Sequence, residues 1–111
     1  MAKLTSLECK PIPKGIPPMG LEQATELLRE IPEWNLSDSS TSISREFRFK
    51  DFHQTMAFVN AVAEIAHQTD HHPDLEVGYN RCKVTFSTHS IGGLSDNDFI
   101  CAARINSLGE S

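Results

Sequence analysis

The sequence predicts one α+β domain in the order α-β-β-α-β-β-α, built on a four-stranded antiparallel sheet with helices packed on one face. Two pairs of segments alternate apolar and polar residues across a short polar connection, which is the pattern of hairpins. Three other segments repeat apolar residues at helical spacing. Hairpin strands pair antiparallel, and a sheet with its helices on one side buries all of these stripes together.

The chain begins with an arm. Between Lys10 and Gly20 stand four prolines and two glycines, a composition that cannot form a helix and leaves a strand few amide donors. Residues 1–20 are therefore expected as an extended Pro-rich arm and residues 21–111 as the domain. From Gln23 to Ile31, Ala24, Leu27, Leu28 and Ile31 recur at helical spacing until Pro32 ends the run. Trp34 to Leu36 and Ile43 to Phe49 then form the first hairpin around residues 38–41, its alternation interrupted at Arg45.

Asp51 opens the long helix as N-cap, with Gln54 placed to complete a capping box. Two apolar stripes run along it. Phe52, Met56, Val59, Ala63 and Ala66 form a face that must be buried and Phe58, Val62 and Ile65 a second stripe beside it, so one side is expected to meet the sheet and the other could meet a partner subunit. The helix closes at His67-Gln68-Thr69-Asp70-His71-His72-Pro73, where Pro73 forbids continuation and biases His72 toward extended geometry. Leu75, Val77 and Tyr79 and then Cys82, Val84 and Phe86 predict the second hairpin, with a tight turn at Asn80-Arg81. Gly92 and Gly93 permit a sharp change of direction. The last helix starts with Ser95 as N-cap, Asp98 at N3 and a Leu94–Phe99 hydrophobic staple, and Gly109 to Ser111 are expected to fray.

Composition narrows the function. A 111-residue chain is one domain by length, with ordinary globular usage at 39% hydrophobic and 23% charged residues. A net charge of -5 without a Lys/Arg cluster argues against a direct nucleic-acid surface. Three cysteines without CxxC spacing indicate neither a disulfide framework nor a cysteine zinc site. Neither a secretory signal nor a membrane span is expected, so a reducing cytoplasm is the default.

Chemistry concentrates in the imidazoles. His71, His72 and His89 lie at element ends that the topology can bring to one rim, and imidazoles there can titrate near neutrality. A polar helix end with a favourable dipole interaction is the plainer alternative for the His71-His72 pair, though the less favoured one, and His89 reads as readily as a solvated strand end. Asp98 is accounted for locally as a cap, and Tyr79 as a core aromatic. His67 and His71 have i, i+4 spacing suited to a metal, but no HExxH motif or matching carboxylate accompanies them.

Taken together, His67, His71-His72-Pro73, Tyr79, Thr88-His89 and Gly92 through Phe99 with Asp98 resemble the pterin-4a-carbinolamine dehydratases. The likeness extends to Phe47 through Phe52 and to the arm with Cys9 and Pro17-Pro18. Two positions depart from the pattern: His67 stands where relatives often carry Glu, and Leu75 where animal members carry Trp.

The resemblance implies a small α+β protein that assembles as a homodimer or homotetramer. Its implied reaction is loss of water from 4a-hydroxytetrahydrobiopterin to give quinonoid dihydropterin, in tetrahydrobiopterin recycling, without cofactor or metal. His71 and His89 become the acid and base candidates and His72 a catalytic-site residue that chiefly orients the pterin. Asp98, Thr88, Ser87, Tyr79 and His67 become supporting or substrate-binding positions. The alternative it carries is a protein-binding role, as dimerisation cofactor of a transcription factor, with nuclear presence. That role would rest on Phe58, Val62 and Ile65.

Overall fold

The computed structural model describes residues 4–108. Its helices are α1 (Leu21–Leu28), α2 (Phe52–Thr69) and α3 (Asp96–Leu108), and its strands are β1 (Asn35–Leu36), β2 (Ile43–Arg48), β3 (Asp74–Val77) and β4 (Arg81–Phe86). The order is α-β-β-α-β-β-α, as the periodicities predict. All strand pairs are antiparallel in the spatial order β1-β2-β4-β3, so α2 connects β2 to the second hairpin and β2 and β4 are the two inner strands. The expected fraying at Gly109 to Ser111 lies outside the described residues.

Register explains which side is the core. Ile43 faces Phe86 and Phe47 faces Cys82 across the β2–β4 pair, and all four are buried. The intervening inward position is Arg45, which breaks the alternation by composition but not by geometry. Its guanidinium lies 4.4 Å above the Phe47 ring and donates to Asn106 Oδ1 on α3 at 2.7 Å. The opposite face of the sheet is charged, with Glu46 paired to Arg48 and Arg81.

Helix α2 turns its other stripe inward. Thr55, Phe58, Val62 and Ala66 are buried, and Phe58 packs against the rings of Phe47 and Phe49. Phe52 is 49% exposed and Ala63 is exposed, while Val59 packs at the edge of the core, so the face expected to be buried is covered only in part and the second stripe meets the sheet. Ala66 alone of the expected inner set is buried. At the start of α2, Asp51 accepts from Gln54 N at 2.9 Å, while Gln54 Oε1 reaches Lys50 N instead of the cap residue's own amide.

The second hairpin turns one residue earlier than expected. Gly78 N donates to the Arg81 carbonyl at 2.9 Å, leaving Tyr79 and Asn80 at the tip. Tyr79 is therefore not a core aromatic: it is 66% exposed and stacks on Phe52 at 6.3 Å.

The N-terminal segment is docked along α3. Leu4, within a tight turn at Leu4–Ser6, is buried, Arg104 donates to the Leu7 carbonyl, and Lys10 exchanges hydrogen bonds with the Asn97 amide at 3.0 and 2.6 Å. This second cover explains why α3 is buried from Asn97 through Ala103 and not on one stripe alone. Gly92 takes a left-handed φ of 67°, and Gly93 lets the arm cross it closely. A Cβ on Gly93 would stand 2.5 Å from Pro18 Cβ, beside the Met19 N to Leu94 O bond of 2.8 Å. Gly93→Ala is expected to destabilise the fold by about 1–3 kcal/mol in urea unfolding, and Pro18→Gly in the same chain to recover much of the loss.

Candidate active site

Three chain segments converge on one carboxylate. Asp98, in the first turn of α3, is fully buried, and its Oδ1 is 2.6 Å from His71 Nε2. Its Oδ2 accepts from Thr88 Oγ1 at 2.8 Å and from Ser95 N at 3.0 Å. The last contact is half of the expected capping box. The other half is missing because the Ser95 hydroxyl turns to Thr88 Oγ1 at 2.6 Å. Thr88 spends its one hydrogen on Asp98, so Ser95 donates and Thr88 accepts.

His71 reaches this carboxylate through the way α2 ends. Asp70 takes the left-handed conformation, φ 53° and ψ 37°, and turns the chain back toward the sheet. The imidazole then lies parallel to the Phe86 ring at 5.8 Å, with 12% of its side chain exposed. Burial pushes the His71 pKa down, but the hydrogen bond it donates to Asp98 and the charge of that carboxylate, helped by Cys101 and Asp70, outweigh that and raise it above the ordinary histidine value.

His71 opens onto a cleft of about 330 Å³, of the size that holds a small molecule. One wall is the arm from Cys9 to Ile12, and the other is formed by Thr69, Asp70, His71, Thr88, Ser90 and Asn97.

A profile of the family described as pterin 4 alpha carbinolamine dehydratase matches residues 17–108. The chain belongs to that family. It is 55% identical over 106 residues to a Nitrosomonas eutropha protein, covering 95% of this chain and 92% of that one. A Nitrosomonas europaea protein is 52% identical over 109 residues, covering 97% and 95%. Both carry the provisional name pterin-4-alpha-carbinolamine dehydratase. Among solved structures, a Brucella melitensis protein described as a transcriptional coactivator/pterin dehydratase superposes with a TM-score of 0.78 at 34% identity, covering 82% of this chain and 97% of that one. A pterin dehydratase-like protein, described as a RuBisCO assembly factor in the alpha-carboxysome, shares the fold with a TM-score of 0.62 at 24% identity, covering 71% and 92%. The dehydratase fold thus also occurs in a protein described by an assembly role.

The family's pattern residues occupy three different settings here. His71, Thr88 and Asp98 form the bonded network, with Ser87 half-buried just beyond the end of β4. His72 is exposed, its ring perpendicular to that of His67 at 6.4 Å, so His67 meets His72 and not His71. His89 is exposed at the start of a tight turn, His89–Ile91, and its neighbours Thr88 and Ser90 line the cleft while neither His89 nor His72 is among the lining residues. Tyr79 is not brought to this cleft within the chain. It sits beside Thr55 at the start of α2, whose eighteen residues span about 27 Å. Among the described residues, no cluster of three or more His, Cys, Asp or Glu could hold a metal ion.

Sequence reading missed a thiol pair at the same cleft. Cys9 Sγ and Cys101 Sγ are 3.4 Å apart although 92 residues separate them. The hydrogen bond from Cys9 draws the Cys101 thiol down to about 7, against its burial, while the same contact and burial push Cys9 up. No spacing rule signals such a pair.

The His71–Asp98 couple should be visible in titration. Because the folded-state pKa of His71 is raised, its stabilisation is complete below the unfolded value near 6.5 and is lost as pH rises through the folded value. NMR is expected to find His71 titrating above that value, and below it in Asp98→Asn, where burial acts without the opposing charge. His71→Ala is expected to cost about 3 kcal/mol near pH 6, since it strands a buried carboxylate, and measurably less in alkaline solution.

Proposed function

We propose that this chain dehydrates a 4a-hydroxytetrahydropterin to the quinonoid dihydropterin by imidazole acid–base catalysis, without cofactor or metal. The observation that carries this reading is the 2.6 Å contact between His71 and the buried Asp98, on the wall of a small-molecule cleft. Its support is membership of the dehydratase family across residues 17–108.

The reaction needs two proton movements and no electron acceptor. The departing 4a-hydroxyl must gain a proton to leave as water, and N5 must lose one as the N5–C4a double bond forms. His71 suits the first. Asp98 engages Nε2 and favours the imidazolium, which leaves Nδ1 as the atom that delivers a proton to the leaving oxygen. Burial beside Phe86 keeps that proton from bulk water.

His89, exposed and next in sequence to Thr88, is the candidate base at N5, and His72 with Ser87 and Thr88 orients the pterin. Tyr79 lies at the far end of α2, so a part for it in binding calls for a second subunit, whereas His67 stands beside His72 and supports that ring. A homodimer or homotetramer is consistent with the half-exposed stripe of Phe52, Met56 and Val59. The product is a substrate for a reductase, so the enzyme would act in tetrahydrobiopterin recycling, in the cytoplasm. No helix among the described residues is long and apolar enough to cross a membrane.

The protein-binding reading is favoured by the coactivator role named for the Brucella protein. It loses the surface that the resemblance assigned to it, because Phe58 and Val62 are buried in this chain's own core. A partner would have to use the outer stripe beginning at Phe52.

Stopped-flow turnover of freshly generated 4a-hydroxytetrahydropterin tests the proposal. His71→Ala is expected to lower kcat by about 10²-fold or more with its circular dichroism unchanged, and Asp98→Asn to shift the alkaline limb of the rate profile to lower pH. Turnover at the wild-type rate by His71→Ala would remove the assignment.

A further inference from the structure

The two sulfurs beside the cleft are placed by a rigid device. Asn97 and Lys10 exchange side-chain and backbone hydrogen bonds at 3.0 and 2.6 Å, as a strand pair would, and Cys101 lies one helical turn beyond Asn97 while Cys9 lies next to Lys10. Leu4 in the core and the Arg104 bond to the Leu7 carbonyl hold the arm on the other side. Cys9 is therefore presented to Cys101 by contacts that do not involve either sulfur. Their separation of 3.4 Å has to shrink by roughly 1.4 Å to reach a disulfide bond length. A side-chain adjustment can supply that.

We propose that Cys9 and Cys101 are an oxidative modification site, a dithiol that hydroperoxides convert reversibly to a disulfide bridging the N-terminal arm to α3. Cys9 is the partly exposed member and lines the cleft, whereas Cys101 is fully buried behind it. Cys9 Sγ takes the peroxide's terminal oxygen: the O–O bond breaks, sulfur is oxidised to the sulfenic acid, and the thiol proton leaves on the second oxygen as water or an alcohol. Cys101 Sγ then attacks the Cys9 sulfur, the S–S bond forms, and the sulfenic oxygen leaves as water with the remaining thiol proton. Two thiols and one hydroperoxide thus give one disulfide, one water and one further water or alcohol. The Cys101 thiolate, 3.4 Å away and drawn down to about 7, is the base that frees Cys9, whose own thiol is pushed up, for the first step, and it is the attacking form in the second.

The bond would act on the cleft from both walls. It would fix Cys9 through Ile12 relative to His71, and it would remove the Cys101 charge that helps His71 keep its proton. Cys82 is the internal control. It is fully buried in β4 opposite Phe47, and burial raises its thiol pKa.

The site is defined without reference to turnover, so its test stands apart from the dehydratase reading. The whole protein is exposed to dilute hydrogen peroxide and analysed by intact mass and peptide mapping. The expected product has lost two hydrogens, carries a Cys9–Cys101 link within one chain and a reduced Cys82, reverts with dithiothreitol, and melts at least about 5 °C higher, because the link closes most of the chain into a loop. Cys9→Ser, a near-isosteric change on the docked arm at the edge of the core, should show no link and no rise in Tm. Three intact thiols after treatment, sulfinic or sulfonic acid without a link, a link through Cys82, or a link between chains would each overturn the assignment.

Discussion

The burial of Asp98 is the constraint on which the site and much of the surrounding fold depend. A carboxylate removed from water costs several kcal/mol unless charge and hydrogen bonds replace its hydration. Here the replacements come from the end of α2 through His71, from the end of β4 through Thr88, and from the start of α3 through the Ser95 amide. Each donor holds its own segment to the same point. The loop from Thr88 to Gly93 closes on itself through the 2.7 Å bond from Thr88 N to Gly93 O, which keeps Thr88 aimed at the carboxylate. Cap and candidate active site are thus one object, and whatever displaces Asp98 loosens both.

That dual role shows where the sequence is legible and where it is not. Asp98 is readable as a capping residue from its spacing to Ser95, and the Ser95 N contact agrees. Its second oxygen, on His71, depends on how α2 and α3 pack, and local spacing carries no information about that. The same limit governs the thiol pair, whose members lie 92 positions apart. Hairpins, helices and their order follow from periodicity because each is a local pattern. The faces of α2 are different: two apolar stripes satisfy the same period, and the choice between them belongs to the crossing of helix over sheet. Phe58 wins because it meets Phe47 and Phe49, a cluster that forms only once β2 is paired to β4.

Arg45 and Tyr79 teach the complementary lesson. Arg45 occupies an inward strand position yet keeps its charge satisfied, since a guanidinium can lie on an aromatic face and still reach an amide oxygen at its tip. Polarity alone therefore misstates where its stem lies. Tyr79 continues the alternation of β3, but Gly78 has already begun the turn, and one residue of slip moves a strand side chain to the other face or off the sheet. The ring ends on Phe52, at the far end of α2 from His71.

Two adjacent histidines acquire opposite environments for a simple geometric reason. Pro73 biases the residue before it toward extended backbone, and consecutive side chains on an extended backbone point to opposite sides. The left-handed turn at Asp70 sets which side comes first, sending His71 onto Phe86 and Asp98 and leaving His72 in solvent beside His67. One imidazole is therefore tuned by a buried carboxylate, while its neighbour stands exposed beside His67. The proposed dehydration, which needs a held proton at one atom and an accessible polar contact for a flat heterocycle, is matched by that division. It follows from the left-handed aspartate and the proline, which flank the histidine pair and perform no chemistry themselves.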